Sequence, residues 1–141
     1  MLTDNAKAAV ILDRDLIGFL TAVNESGQPQ TAPVWFLRDD DDLVVYNRPT
    51  SPRLTSIASN PMVSFCVRGD IRAAGALILE GRATVGGLPP AVDLPAYVAK
   101  YEWEIERLGW TPETFSDMYS EGARISVTRV WAWGLDALGE G

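Results

Sequence analysis

The sequence predicts a mainly β fold with helices as connections: a small antiparallel barrel, closed or split, of six strands. Short apolar runs rich in β-formers recur at hairpin spacing. The helical segments between them do not follow every strand, as a doubly wound parallel sheet would require. The chain has 141 residues, 47% of them apolar and 22% charged. One domain over 1–141, with a core that needs no disulfide or metal, fits that size.

Residues around 4–14 read as a short helix that Thr3 or Asp4 can cap, with Ala6, Ala8, Ala9 and Leu12 compatible with it. The first strand is "LIGFLTAV" (16–23), and "NESGQ" (24–28) is its turn. "PQTAPVWFL" (29–37) follows, with Thr31, Pro33, Trp35 and Leu37 on one face and Ala32, Val34 and Phe36 on the other. Pro33 has no N–H for a ladder, so this strand lies at an edge or is bulged there. "RDDDD" (38–42) is a polar loop into the third strand, "LVVYN" (43–47).

"SPRLTSIASN" (51–60) is punctuated as a helix: Ser51 at the N-cap, Pro52 at the first helical position, and Asn60-Pro61 as the stop. Leu54, Ile57 and Ala58 form its expected buried stripe. "MVSFCVR" (62–68) and "ALILEGRATVG" (76–86) are strands joined by "GDIRAAG" (69–75). A proline-led, acidic amphipathic helix covers 88–109 and a second short helix 111–119. The last strand, 123–134, puts Trp131 and Trp133 on one face, and the tail 135–141 reads as frayed.

Composition excludes several function classes. The single cysteine, Cys66, rules out an intrachain disulfide and reads as a small buried hydrophobe. Acidic residues interrupt the first apolar stretch as no signal peptide would, and no run is long enough to span a bilayer. A soluble, cytoplasmic protein is expected. The net charge of −7 argues against nucleic-acid and membrane partners. No histidine is present, which removes the usual Ser-His-Asp, Cys-His, His-zinc and His-haem systems. Any hard chemistry then falls to an organic cofactor, and no catalytic residue or metal ligand is assigned.

Within this acidic chain, Arg48, Arg53, Arg68, Arg72 and Arg82 cluster between residues 43 and 85. A helix N-terminus binds anions through free N–H groups and its partial positive charge. In "RPTSPR" the N–H groups of Arg53 and Leu54, the hydroxyls of Thr50 and Ser51, and the charges of Arg48 and Arg53 would make a phosphate cradle. The plainer reading is a capped helix start with arginines facing water. Trp131 and Trp133 are more apolar surface than a small barrel interior readily takes, so they line a ligand cleft or a subunit interface.

The pattern Gly-x-Pro-x-x-x-Pro-Val-Trp-Phe (27–36), followed by "SPRLTSI" and "NPMVS", resembles the pyridoxamine-phosphate-oxidase-like superfamily, with its FMN-binding split β-barrel. More narrowly it is similar to the branch of oxidoreductases that use the deazaflavin coenzyme F420. The similarity is strong from about Asp15 to Val85 and weaker through "RISVTRVWAW". It implies a homodimer with a cofactor in each groove between chains. The cofactor phosphate would sit near Ser51 and Arg53, with Arg48, Thr50 and Pro52 adjacent. The strand through Ala32, Pro33, Val34 and Trp35 would pass the ring, near Tyr46, and Trp131 or Trp133 of the second chain would supply an aromatic wall. The implied activity is hydride transfer from reduced F420 to a small electrophilic substrate, with an FMN enzyme or a non-catalytic cofactor or tetrapyrrole carrier as alternatives. A continuation of the groove over Arg68, Arg72 or Arg82 would favour the long anionic tail of F420. The tail "VWAWGLDALGEG" lacks the arginine-rich segment that receives vitamin B6 phosphate, which argues against vitamin oxidation.

Overall fold

The computed structural model describes residues 1–69 and 75–139. Helix α1 (Ala6–Arg14) precedes β1 (Gly18–Val23), β2 (Pro29–Val34), β3 (Leu37–Asp39) and β4 (Asp42–Asn47). Helix α2 (Pro52–Ser59) leads into β5 (Met62–Gly69) and β6 (Ala76–Val85). Then come α3 (Pro95–Arg107), α4 (Pro112–Met118), the long β7 (Glu121–Trp133) and a last turn of helix, α5 (Leu135–Gly139). No helix among the described residues is long and apolar enough to cross a membrane.

The strands form one antiparallel sheet in the order β2-β1-β5-β6-β7-β4-β3. Among the described residues it has seven strands, not six, because the run 29–37 is two strands that pair at opposite edges. Residues 29–34 pair with β1, and residues 37–39 pair with β4. Only Trp35 and Phe36 lie between them. Three Cα–Cα steps reach at most about 11 Å, so the sheet must curl until its two edges nearly meet. That is a barrel with a split at residues 35–36. Pro33 lies on the edge strand, where its missing N–H costs no ladder bond.

Inside the curl, Leu20, Phe36, Leu43, Phe65, Leu77, Leu79 and Ile125 pack with Ile11 and Leu12 of α1. A second cluster joins Val44 and Tyr46 to Tyr97, Tyr101 and Ile105 of α3 and Phe115 of α4. Strand β4 is therefore buried on both faces, which is why "LVVY" is a continuous apolar run without alternation. Tyr97, Tyr101 and Ile105 recur at i, i+4 and i+8, the buried stripe of α3.

Local signals differ in detail from expectation. Asn5, not Thr3 or Asp4, caps α1 by accepting the N–H of Ala8 at 3.0 Å. Ser51 holds the N-cap position of α2 but its hydroxyl makes no capping bond. In α2 Ser56 and Ile57 are buried, whereas Leu54 is half-buried and Ala58 exposed. The expected helix 88–109 is a 3-10 turn at Ala91–Asp93 followed by α3, since Pro95 fits the first position of a new helix. The last strand starts at Glu121. Cys66 is half-buried rather than buried. Residues 70–74 of the expected 69–75 connection lie outside the described residues.

The tail is folded rather than frayed through residue 139. Leu138 is 3% exposed and belongs to the main core. Lys7 of α1 pairs with Asp136 at 2.7 Å. Replacing Leu138 by Ala should lower unfolding free energy by about 2–3 kcal/mol, the low end for a buried leucine because the site is terminal. Urea denaturation checks it; an unchanged midpoint would return the tail to solvent.

Candidate functional site

The split leaves backbone groups that no strand can reach, and α3 satisfies them. The Tyr101 hydroxyl accepts the N–H of Phe36 at 2.7 Å. Its own proton is shared between the carbonyls of Leu16, at 2.7 Å, and Phe36, at 2.9 Å. Lys100, the residue before, donates to the carbonyls of Leu12 at 3.0 Å and Phe36 at 2.9 Å. Its ammonium also sits 3.8 Å from the Phe36 ring centroid. Burial lowers the Lys100 pKa to about 8, against the weaker pull of Asp13 and Asp15. Burial, the largest influence, also pushes the Tyr101 phenol up.

Beside this seam is a cavity of about 370 Å³, within the range of small-molecule sites. One wall is Pro33 and Val34 of the edge strand with Trp35 just after it; the other is Tyr97, Leu108, Trp110, Phe115 and Tyr119 from the acidic segment. Ile17, Tyr46 and Arg53 complete it. Trp35 stacks on Tyr101 with ring centroids 4.6 Å apart and 9° between planes, and Phe115 stacks on Tyr119 at 4.8 Å. Trp35 also stacks on Phe115 at 5.3 Å, so the rings pack chiefly on one another and form a continuous aromatic wall to the cavity. The Tyr46 hydroxyl donates to Pro89 O at 2.6 Å. A Cβ on Gly122, opposite Tyr46 in the ladder, would stand 2.9 Å from the Leu88 side chain and 3.2 Å from the Tyr46 ring, so glycine leaves room for both.

Arg53 is the single charged residue of the lining among the described residues. Its Nε and Nη2 donate to Asn47 Oδ1 at 3.0 and 2.7 Å. Asn47 is 1% exposed and its Nδ2 donates to the carbonyls of Val45 and Glu121. No acidic residue pairs with Arg53 among the described residues. Burial pushes its pKa below the ordinary arginine value. Arg38 and Arg68 go the other way, raised first by hydrogen bonds to Asp13 and Asp15. An enclosed cation whose partner is neutral is poised to take an anion.

Pro33, Val34, Trp35, Tyr46 and Arg53 of the expected set thus meet in one cavity. The others do not line it. Arg48 stands at the rim, its guanidinium carbon 5.0 Å from the Tyr119 ring centroid. Thr50 and Pro52 are exposed, and Ser51 and Ala32 half-buried. In the expected cradle the N–H of Leu54 is not free, because it donates to Ser51 O at 3.1 Å. Trp131 and Trp133 are 43% and 46% exposed and are not among the lining residues. Trp131 donates to Glu80 at 2.9 Å beneath the Arg129 guanidinium. Arg68 is taken up by Asp15, with bonds of 2.8 and 2.9 Å. Arg82 lies 3.1 Å from the Met62 sulfur, and Arg72 is outside the described residues. Tyr97, Lys100, Tyr101 and Asn47 were missed. The α3 stripe was visible as a buried face, but nothing in it marks which barrel gap it fills.

A family model described as pyridoxamine 5'-phosphate oxidase matches residues 2–133. No curated protein matches the chain. Among solved structures, a conserved hypothetical protein of Mycobacterium tuberculosis is 22% identical, with a TM-score of 0.75 over 96% of this chain and 87% of its own. An F420 reductase is 21% identical, with a TM-score of 0.63 over 86% and 94%. The heme-storage protein HutZ of Vibrio cholerae is 15% identical, with a TM-score of 0.65 over 94% and 97%. At these identities the likeness shows the fold alone.

The Lys100 geometry fixes the sign of a pH effect. Its amine titrates near pH 8 when folded and near 10.4 when unfolded. Between those values the unfolded chain holds more protons, so stability rises with pH; below 8 this contribution is flat. Lys100 should therefore contribute a gain in unfolding free energy of roughly 1–2 kcal/mol between pH 8 and 9.5. Cys66, raised by burial, opposes it once the unfolded thiol ionises at about pH 8.5. Tyr46, Tyr97 and Tyr101, also raised, do so at about pH 10, so the Lys100 contribution is the difference between wild type and Lys100→Met. Urea titrations of wild type and Lys100→Met test this; an equal slope in both clears Lys100 of the effect.

Proposed function

The chain belongs to the pyridoxamine 5'-phosphate oxidase family, and from that premise we propose that it is a reductase dependent on coenzyme F420. The observation that carries the reading is Arg53: a desolvated cation with a neutral partner, the single charge among the described residues that line a cavity walled by aromatic rings. A ring system with a phosphate on its side chain matches that donor set. When bound, the reduced deazaflavin supplies the hydride, and the substrate is a small flat electrophile.

The chain's own residues then bind, orient and exclude water. Arg53 holds the phosphate through the guanidinium edge that Asn47 leaves free, with Arg48, Thr50, Ser51 and Pro52 bordering it. The backbone of Ala32–Trp35 follows the ring, and Trp35, Phe115 and Tyr119 give the cavity its aromatic wall. The acidic segment 93–121 shapes the substrate side, since it supplies five lining residues. The existence of a solved F420 reductase with this fold supports the choice of cofactor, and FMN is the alternative. A tetrapyrrole carrier, suggested by the heme-storage protein, would have no histidine here to ligate iron.

The active form is proposed to be a homodimer. Pro33, Phe19, Cys66, Ile78 and Trp131 are direct cross-strand neighbours over five strands. Phe19 and Trp131 in that row are about half exposed, at 46% and 43%. A second copy covering this row would bring its Trp131 or Trp133 to the groove. In sedimentation analysis wild type should run as a dimer and Trp131→Glu as a monomer. A monomeric wild type would sink the assembly.

Titration with oxidised coenzyme F420, followed by tryptophan quenching, tests the cofactor. Arg53→Ala should weaken binding by about 1.5–3 kcal/mol, the scale of a lost charge-assisted hydrogen bond. Protein that purifies yellow with FMN, or an affinity untouched by the substitution, would overturn the assignment.

A further inference from the structure

We propose that Asn47 is the positioning residue of this site: by holding Arg53 on a neutral oxygen, it makes the cavity select a ring that carries a phosphate over the same ring without one. The inference rests on reading the cavity as the seat of a phosphate-bearing cofactor, and it holds for either cofactor considered above.

Asn47 ends β4 and is 1% exposed. Its side-chain hydrogen-bonding capacity is used up inside the fold. Oδ1 accepts from Nε and Nη2 of Arg53, and Nδ2 donates to the carbonyls of Val45, at 3.2 Å, and Glu121, at 3.0 Å. An amide so committed has nothing left for a ligand, and it is not among the lining residues of the cavity. Whatever it does for binding passes through Arg53.

Val45 lies in the same strand, and Glu121 faces Asn47 across the ladder to β7. The amide is thus fixed to two strands, and it ties an α2 side chain to the sheet. Two guanidinium N–H groups close on Oδ1, so of the five that arginine carries three stay for an incoming anion. Aspartate has the same shape and could take the same two donors, as Asp15 takes those of Arg68. Its charge would offset the cation before any ligand arrived, and its second oxygen would face the Val45 and Glu121 carbonyls as acceptor against acceptor. The neutral amide leaves the counter-charge to the ligand. A neutral ring displaces water from the cation and returns no charge, so it is disfavoured.

FMN and riboflavin share one ring and differ by the phosphate, so the ratio of their affinities reads the selection directly. In flavin fluorescence titrations wild type should prefer FMN about 10–100-fold. Asn47→Asp should reduce that preference to about threefold or less. Asn47→Ala keeps the charge of Arg53 but frees its direction, and should weaken FMN about 3–10-fold more than riboflavin. In an Arg53→Ala background the same change should leave the ratio where it is, because Asn47 acts through Arg53. The alanine arm decides the case even where the aspartate variant does not fold. A wild type without the preference, or an Asn47→Asp that keeps it, would overturn the proposal. So would an Asn47→Ala that weakens both flavins alike, or a ratio that still moves without Arg53; either would make Asn47 a strut between β4 and β7. The two readings fail separately. If coenzyme F420 does not bind but the FMN preference depends on Asn47, the cofactor assignment falls and this inference stands. If F420 binds and the preference ignores Asn47, the reverse holds.

Discussion

Phe36 carries a backbone N–H and C=O that no strand can bond, because the chain there is leaving one edge of the sheet for the other. Unmet, those groups would be buried at a cost of roughly 1–3 kcal/mol each. The Tyr101 hydroxyl and the Lys100 amine, consecutive on α3, meet them instead. A barrel of this kind closes through a helix, not through a ladder. The closure ties the acidic segment to the sheet and sets where its aromatic residues point. Since Tyr97 lies one turn before Tyr101 on the same stripe, the helix that seals the split also walls the cavity.

That coupling explains the composition of the segment. Its buried face must be apolar enough to cover β4 from outside, yet it must deliver hydroxyl and amine groups to one short stretch of backbone. Tyrosine serves both needs, with a large apolar ring and a polar tip. Tyr101 and Lys100 do here what two leucines would not. Lys100 reaches the same stretch with its stem along apolar surface and its head on two carbonyls. Burial depresses its pKa, so the tether costs stability at neutral pH, and the fold tolerates that cost to keep Phe36 satisfied.

The parts of the fold legible in the sequence were those set by single residues acting on their own backbone. Pro33 marked an edge, Pro52 opened α2, and Asn60-Pro61 closed it. What was hidden depended on partners distant in sequence. The run 29–37 alternates without a break, so the change of partner at Trp35–Phe36 leaves no trace in periodicity. Leu138 looked like part of a polar tail because its burial is supplied by α1 and the main core. At the site, Arg53 was visible as a cation at a helix start, but its direction was not. Asn47 turns it toward the cavity, and Asn47 is six residues away on a strand.

The choice of asparagine opposite Arg53 has an electrostatic consequence. Elsewhere in this acidic chain arginines meet aspartate: Arg38 on Asp13, Arg68 on Asp15, Arg124 on Asp39 and Asp42. At the cavity the Nε and Nη2 donors that Arg38 and Arg68 place on carboxylates close on one neutral amide oxygen. The orientation of that amide is fixed, because Nδ2 is held by two carbonyls and the reverse placement would set donor against donor. Arg53 is therefore positioned as firmly as in an ion pair but keeps its full charge. An aspartate there would cancel the field where the walls are apolar and the local dielectric low, which is where a charge acts most strongly on a ligand. Asn47 supplies the rigidity of a salt bridge and leaves the counter-charge to be brought by whatever binds.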